Sequence, residues 1–308
     1  MINFRYHIVS LMAVFMALSV GIAVGVSLGP SVDQGLLQQA AQDRKQVTDL
    51  RAELDRRNVL DDYHEAFDQQ VGEVTIDGAI RGVPVALVSM PEAPNAVVQA
   101  ISTAVETAGG TLVREVEVTP DAFDPAKAAD IADALAPYGD LDLNDSMSQA
   151  TMVGVALARS IASPQAEDRD QLAVAVGDAL TKQGLASISR GSTAQAAQLV
   201  IVIAAETADP PQDSEQLGAH VDFYLALKGR AGVVLAGPNS AGLDGTDVRA
   251  VRSNPAGENV LSTVDVADLS SGVTATILAG QEQLLGHEGR HYGALAGSDA
   301  PLQTLPVR

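Results

Sequence analysis

Residues 287–291 read His-Glu-Gly-Arg-His. A helix with this spacing can present two imidazoles to a zinc ion and a glutamate to the attacking water. That chemistry requires both histidines on one face of a continuous helix. Here Gly286, Gly289 and Gly293 punctuate the stretch, and an interior glycine costs a helix about 1 kcal/mol relative to alanine. The preceding segment, LAGQEQLLG, predicts a helix that stops at Gly286. A third ligand is hard to find, since the other histidines are the scattered His7, His64 and His220. The motif therefore predicts no catalytic zinc and no enzyme. His287 and His291 remain candidates only for a surface metal site.

Other constellations are sparse. There is no cysteine, which excludes disulfides, thiolate metal sites and cysteine nucleophiles. Residues 91–95, PEAPN, follow an apolar run but form neither a dinucleotide fingerprint nor a P-loop. The glycines of Gly237-Pro238-Asn239-Ser240-Ala241-Gly242 could cradle an anion, but with nothing basic nearby a plain turn is the better reading, and Ser189-Arg190-Gly191-Ser192 is similarly weak. No Ser/His/Asp set or paired carboxylate stands out from the acidic background, and no cofactor is expected.

Charge and composition narrow the class. The 308 residues carry a net charge of −20 and a pI near 4.4. This argues against a nucleic-acid surface and against a polybasic lipid-binding patch. Hydrophobic residues make up 46% and aromatics 3%, so Val, Ile, Leu and Ala must build the core.

The N-terminus sets the topology. From Ile8 to Leu28 no residue is charged, and a helix of that length spans the ~30 Å hydrocarbon core. Arg5 precedes it and the next basic residue is Arg44. The positive-inside rule then leaves a cytoplasmic N-terminus (1–7), an anchor (8–29) and the rest outside. This is a single pass of the inner membrane. A cleaved signal peptide is the rival reading, since Ala23-Val24-Gly25 is small-x-small, but the apolar run exceeds the usual ~7–15 residues. Gly21, Gly25 and Gly29 fall on one helix face, where two backbones can approach closely.

A heptad-like stripe follows over residues 31–76. Leu36, Ala40, Val47, Leu50 and Leu54 recur by threes, fours and sevens among polar residues. It resumes out of phase at Leu60, Tyr63, Phe67, Val71 and Val74, a stutter or bend near Arg57–Asn58. This predicts a coiled-coil helix and, with the glycines, a parallel homodimer. The alternative is an amphipathic helix lying on its own globular domain.

Residues 80–308 read as an extracytoplasmic α/β domain. Strands are predicted at 83–90, 111–118, 199–204, 232–236 and 260–264, with helices at 95–108, 170–183, 214–228 and 273–285 and two or three more between 120 and 163. This alternation predicts a mainly parallel αβα sandwich.

Three features together resemble the MctB family of actinobacteria, which includes SteB-like proteins. They are the start, Asn3-Phe4-Arg5-Tyr6-His7-Ile8-Val9-Ser10-Leu11; the coiled segment with its α/β body; and the close. The close comprises Ser262-Thr263-Val264-Asp265, a final helix, Gly286-x-x-Gly289-x-x-Tyr292-Gly293, and Leu305-Pro306. Within that pattern the glycines and Tyr292 carry the resemblance, and Glu288 and the histidines are incidental.

The resemblance implies two functions. One is cell separation: a coiled-coil adaptor with a SteA-like membrane partner regulates a peptidoglycan hydrolase. The other is copper homeostasis or efflux, with placement in the outer membrane. Cu(I) prefers soft sulfur, and of six methionines only Met12 and Met16, one turn apart in the anchor, offer paired thioethers. Methionine also fills gaps in ordinary packing. A pore would need a barrel or an oligomeric channel. The residues therefore favour the adaptor, with copper as the alternative.

Overall fold

The computed structural model describes residues 4–141, 143–144, 146–189, 194–206, 212–239 and 243–302; residues 4–5, 28–38 and 140 are described by backbone alone. The chain divides into two units, Met1–His64 and Glu65–Arg308.

The first unit holds most of α1 (Phe4–Ile76). Residues Tyr6–Ser27 have a mean hydropathy of 2.4 and no buried residue. An apolar surface that long and wholly exposed has no stable state in water and suits a lipid environment. The out-of-phase stripe leaves α1 unbroken near Arg57. There Glu53 accepts hydrogen bonds from Arg56 Nη2 (2.7 Å) and Arg57 Nε (3.0 Å), and the two guanidinium groups hold its carboxyl below the usual carboxylate range.

The second unit begins within the segment assigned to the coil. Ser270 N donates to Glu65 Oε1 at 3.0 Å, and Ile76 and Ile80 are buried. Its strands are β1 (Pro84–Ser89), β2 (Thr111–Val118), β3 (Ala186–Ile188), β4 (Leu199–Ile203), β5 (Gly232–Ala236), β6 (Ser262–Val264) and β7 (His291–Tyr292). They form one sheet in the order β3-β2-β1-β4-β5-β6-β7. Every pair is parallel except β2–β3. Continuous runs such as LVIVI in β4, buried at every position, suit a sheet covered on both faces.

Alternation divides those runs between two cores. Val85 and Leu87 of β1 and Leu199, Ile201 and Ile203 of β4 face the layer of α2 (Asn95–Thr107) and α8 (Ser270–Leu284). Ala86, Val88, Val200 and Val202 face the opposite layer. That layer holds α3 (Ala128–Leu135), α4 (Gln149–Ile161), α5 (Gln171–Lys182), α6 (Ser214–Lys228) and α7 (Asp247–Ser253). Polar caps set several starts. Ser148 accepts from Thr151 N, Asp170 from Ala173 N, and Asp213 from Glu215 N and Gln216 N, each satisfying amide groups that the helix leaves unpaired.

The αβα sandwich expected from the sequence is present. Three short elements go beyond it: β3, α7 and β7. A three-residue edge strand and a two-residue strand carry too little periodicity to be seen before their neighbours are known.

Candidate functional site

The HEGRH segment is not a helix. α8 ends at Leu284 and Gly286 turns the chain with φ 77°. His287 and Glu288 are exposed, whereas His291 is buried in β7. The two imidazoles therefore occupy different environments, and among the described residues no His/Asp/Glu group of three is placed to hold a metal ion.

The segment serves packing instead. A side chain at Gly289 would lie 2.6 Å from Leu261 N, and one at Gly293 would run into the Asp265 carboxylate. Gly293 also has φ 135°, which L side chains rarely adopt. The backbone can thus approach β6 closely enough for Thr263 N to bond Arg290 O (3.0 Å) and Asp265 N to bond Tyr292 O (3.3 Å). Thr263 Oγ1 lies 2.9 Å from His291 Nδ1. Tyr292 donates its hydroxyl to Glu282 Oε2 at 2.5 Å; burial, reinforced by that carboxylate, pushes the phenol pKa upward and keeps the donor protonated.

A different region has the geometry of a ligand site. The sheet order reverses between β1 and β4: β1 leads through α2 to β2 on one side, and β4 through α6 to β5 on the other. Such a crevice, at the carboxyl ends of the strands, is where open α/β sheets accommodate ligands. A cleft of about 1390 Å³ lies there. Met90, Pro91 and Glu92 enter it from the end of β1, and Ala205 from the end of β4. Glu92 has φ 65°, a left-handed backbone uncommon for a non-glycine residue.

The cleft is acidic. Asp121 and Asp124 come from the turn after β2, Asp213, Glu215 and Asp222 from the start of α6 and its third turn, and Asp247 from α7. No lysine or arginine lines it among the described residues. At its inner wall His220 Nδ1 sits 2.7 Å from Asp247 Oδ1 with both residues buried. Phe123 packs on the imidazole with ring centroids 4.3 Å apart. The neighbouring Tyr224 phenol is fully buried, and burial together with Asp247 raises its pKa well above the ordinary value. Sequence reading passed over His220, because its partner is 27 residues away and only the strand order shows the switch point.

The remaining candidates lie along α1. Met12 and Met16 are exposed (69% and 73%), and Val47, Leu50 and Leu54 are exposed at 46%, 63% and 57%. Gly21 and Gly25 have open space where a Cβ would point. Gly29 and Leu36 fall outside the residues with described side chains, as do residues 240–242 and 190–193 of the two glycine turns.

Comparison with known proteins adds the lineage. The family model described as "Copper transport outer membrane protein, MctB" matches residues 1–302. The chain belongs to the MctB family. Copper transporter MctB of Mycobacterium bovis is 29% identical over 314 residues, covering 97% of this chain and 98% of the relative. Copper transporter MctB of Mycobacterium tuberculosis has the same identity and coverage. For an MctB-family chain the sulfur supply is small: no cysteine, Met90 buried, and Met147 and Met152 half-buried in the body. Met12 and Met16 are the exposed methionines among the described residues.

Proposed function

We propose that this MctB-family protein is a membrane-anchored, non-enzymatic adaptor of the cell envelope that regulates cell-wall hydrolysis and cell separation. Its bulk lies outside the inner membrane. The observation that carries this reading is the exposed apolar stripe of Val47, Leu50 and Leu54 on α1. It runs on from an apolar span of 22 residues. Three large apolar side chains on one helix face, in a polar setting, favour a helical partner. Gly21 and Gly25 allow the span itself to pack against a second copy. The partners of this reading are a second copy in parallel, a SteA-like membrane protein and a peptidoglycan hydrolase. Arg5 before the span and the gap to Arg44 support the orientation.

The experiment is the double substitution Leu50→Asp with Leu54→Asp in the full chain. Burial of each leucine contributes about 1.5–3 kcal/mol, and a buried unpaired carboxylate adds a desolvation cost. Cells carrying the variant should form chains of unseparated cells and show reduced hydrolase activation. Normal separation by a variant confirmed monomeric in the membrane overturns the reading.

A second reading is favoured by the family description and by the relatives' name: copper homeostasis or efflux in the envelope. The exposed pair Met12 and Met16, meeting the same pair of a second copy, is the site at which Cu(I) would find thioethers. Met12→Leu with Met16→Leu should then raise copper sensitivity in cells. Unchanged sensitivity leaves those residues as packing.

A further inference from the structure

We infer that the face of α1 carrying Phe67, Val71 and Val74 is a docking surface for a basic amphipathic helix of another protein. The inference goes beyond the adaptor reading: it concerns residues other than Val47, Leu50 and Leu54, and it names the chemistry of the occupant.

Two faces of the last turns of α1 differ. One packs on α8, mostly through small and polar residues. Glu65 accepts from Ser270 N at 3.0 Å and from the Ser270 hydroxyl at 2.5 Å. This stands in for a cap, because Leu269 at the head of α8 has no side-chain acceptor. A side chain at Gly72 would run into Thr274, and Ile76 is buried. The larger apolar residues of the same turns lie elsewhere: Phe67, Val71 and Val74 are exposed at 53%, 45% and 80%. At about 100° per residue they centre roughly 150° around the helix from Glu65, Gly72 and Ile76. The body therefore covers the opposite side and leaves this apolar row to solvent. A row at i, i+4 and i+7 is the pattern by which one helix receives another.

Charge chooses between a second copy and a different protein. Between residues 43 and 57 both signs alternate, with Arg44, Lys45 and Arg51 among Asp43, Asp49 and Glu53. A segment of mixed sign can pair with a copy of itself. From Asn58 to Ile80 there is no lysine or arginine, and the formal charges are all acidic. By helical phase Asp68 falls on one flank of the row and Asp77 on the other. Two copies joined along this row would set carboxylates beside carboxylates, and like charges at an interface oppose association. A helix with an apolar stripe and lysine or arginine on its flanks matches both the row and its rim.

The test places the photo-cross-linking residue p-benzoyl-phenylalanine at Val74 of the full chain in cells. A matched probe stands at Gln69, which is also exposed but points to another side of α1. After irradiation the captured peptide is identified by mass spectrometry. The expected result is an adduct from Val74 and not from Gln69. Its captured peptide should come from a different protein, show apolar residues at helical spacing and carry lysine or arginine on the flanks. Val71→Asp changes an exposed position, so the fold is kept, and should cut the adduct yield about tenfold, the effect of losing one central contact. Asp68→Asn with Asp77→Asn should lower the yield as well, by removing the acidic rim. An undiminished yield in Val71→Asp overturns the inference. So does a captured peptide from a second copy, from the chain's own body or from a partner without basic flanks. Equal adducts from Gln69 and Val74, or no adduct from Val74, overturn it too.

Discussion

Arg252 Nη1 lies 2.6 Å from Asp265 Oδ2, and both side chains are essentially out of solvent. Around this pair the polar groups of β6, α7 and the C-terminal segment close on one another. Arg252 Nε donates to Thr263 Oγ1 at 2.9 Å and Nη2 to Tyr292 O at 3.0 Å. Asp265 accepts from Ala294 N at 2.9 Å and Leu295 N at 3.2 Å. Each guanidinium nitrogen donates and both carboxylate oxygens accept, which is what permits such a pair inside the protein.

Arg252→Ala should therefore destabilise the body by about 3–5 kcal/mol, because it leaves a buried carboxylate uncompensated. Denaturant unfolding of the full chain in detergent, followed by hydrogen exchange of peptides from β6 and β7, measures this. A loss below about 1 kcal/mol would show that water reaches Asp265.

Gly293→Ala should disturb the same network by a different route. The new methyl group meets the Asp265 carboxylate, and overpacking alone costs about 1–3 kcal/mol. Gly289→Ala should also destabilise, through backbone contact with Leu261. Gly286→Ala meets open space and should be milder, paying only for its positive φ. Thermal unfolding of the three variants side by side tests that order.

The two histidines of the motif should separate in both stability and pH response. His287→Ala changes an exposed residue and should stay within about 0.5 kcal/mol. His291 is buried, and burial, with Arg252 as the next contributor, lowers its pKa below the ordinary 6.5. The unfolded chain then takes up a proton before the folded one does. Stability from this group is complete above about pH 6.5 and is lost as pH falls through the lowered folded value. His291→Gln should flatten the stability-versus-pH curve just below pH 6.5. An unchanged slope would mean that His291 does not carry the proton.

The proposed parallel association on α1 has a clean chemical test, since the chain contains no cysteine. Val47→Cys should form a disulfide between copies in membranes under mild oxidation. Asp49→Cys, about 200° away around the helix, should form much less. Equal yields would place the contact elsewhere. A reporter fused after Arg308 should be active only outside the cytoplasm if the orientation drawn from Arg5 holds.

How much of this was legible beforehand differs by element. The apolar span, the helices 95–107 and 214–228 and the strands 111–118 and 232–236 are written in local pattern: uninterrupted apolar runs, alternation, caps and glycine stops. Such signals act within a few residues, so the chain carries them before it folds. The glycine rhythm of residues 286–293 also pointed away from a zinc helix, because helix propensity is likewise local. Other features depend on residues far apart in sequence. His291 and His287 look alike in the motif, yet β7 pairing beside β6 buries one and leaves the other exposed. The Arg252–Asp265 pair, the His220–Asp247 pair and the acidic cleft exist only once the order β3-β2-β1-β4-β5-β6-β7 is laid down. Burial and electrostatic pairing are properties of neighbours in space, and which neighbours meet is set by the sheet's crossovers rather than by any stretch of chain.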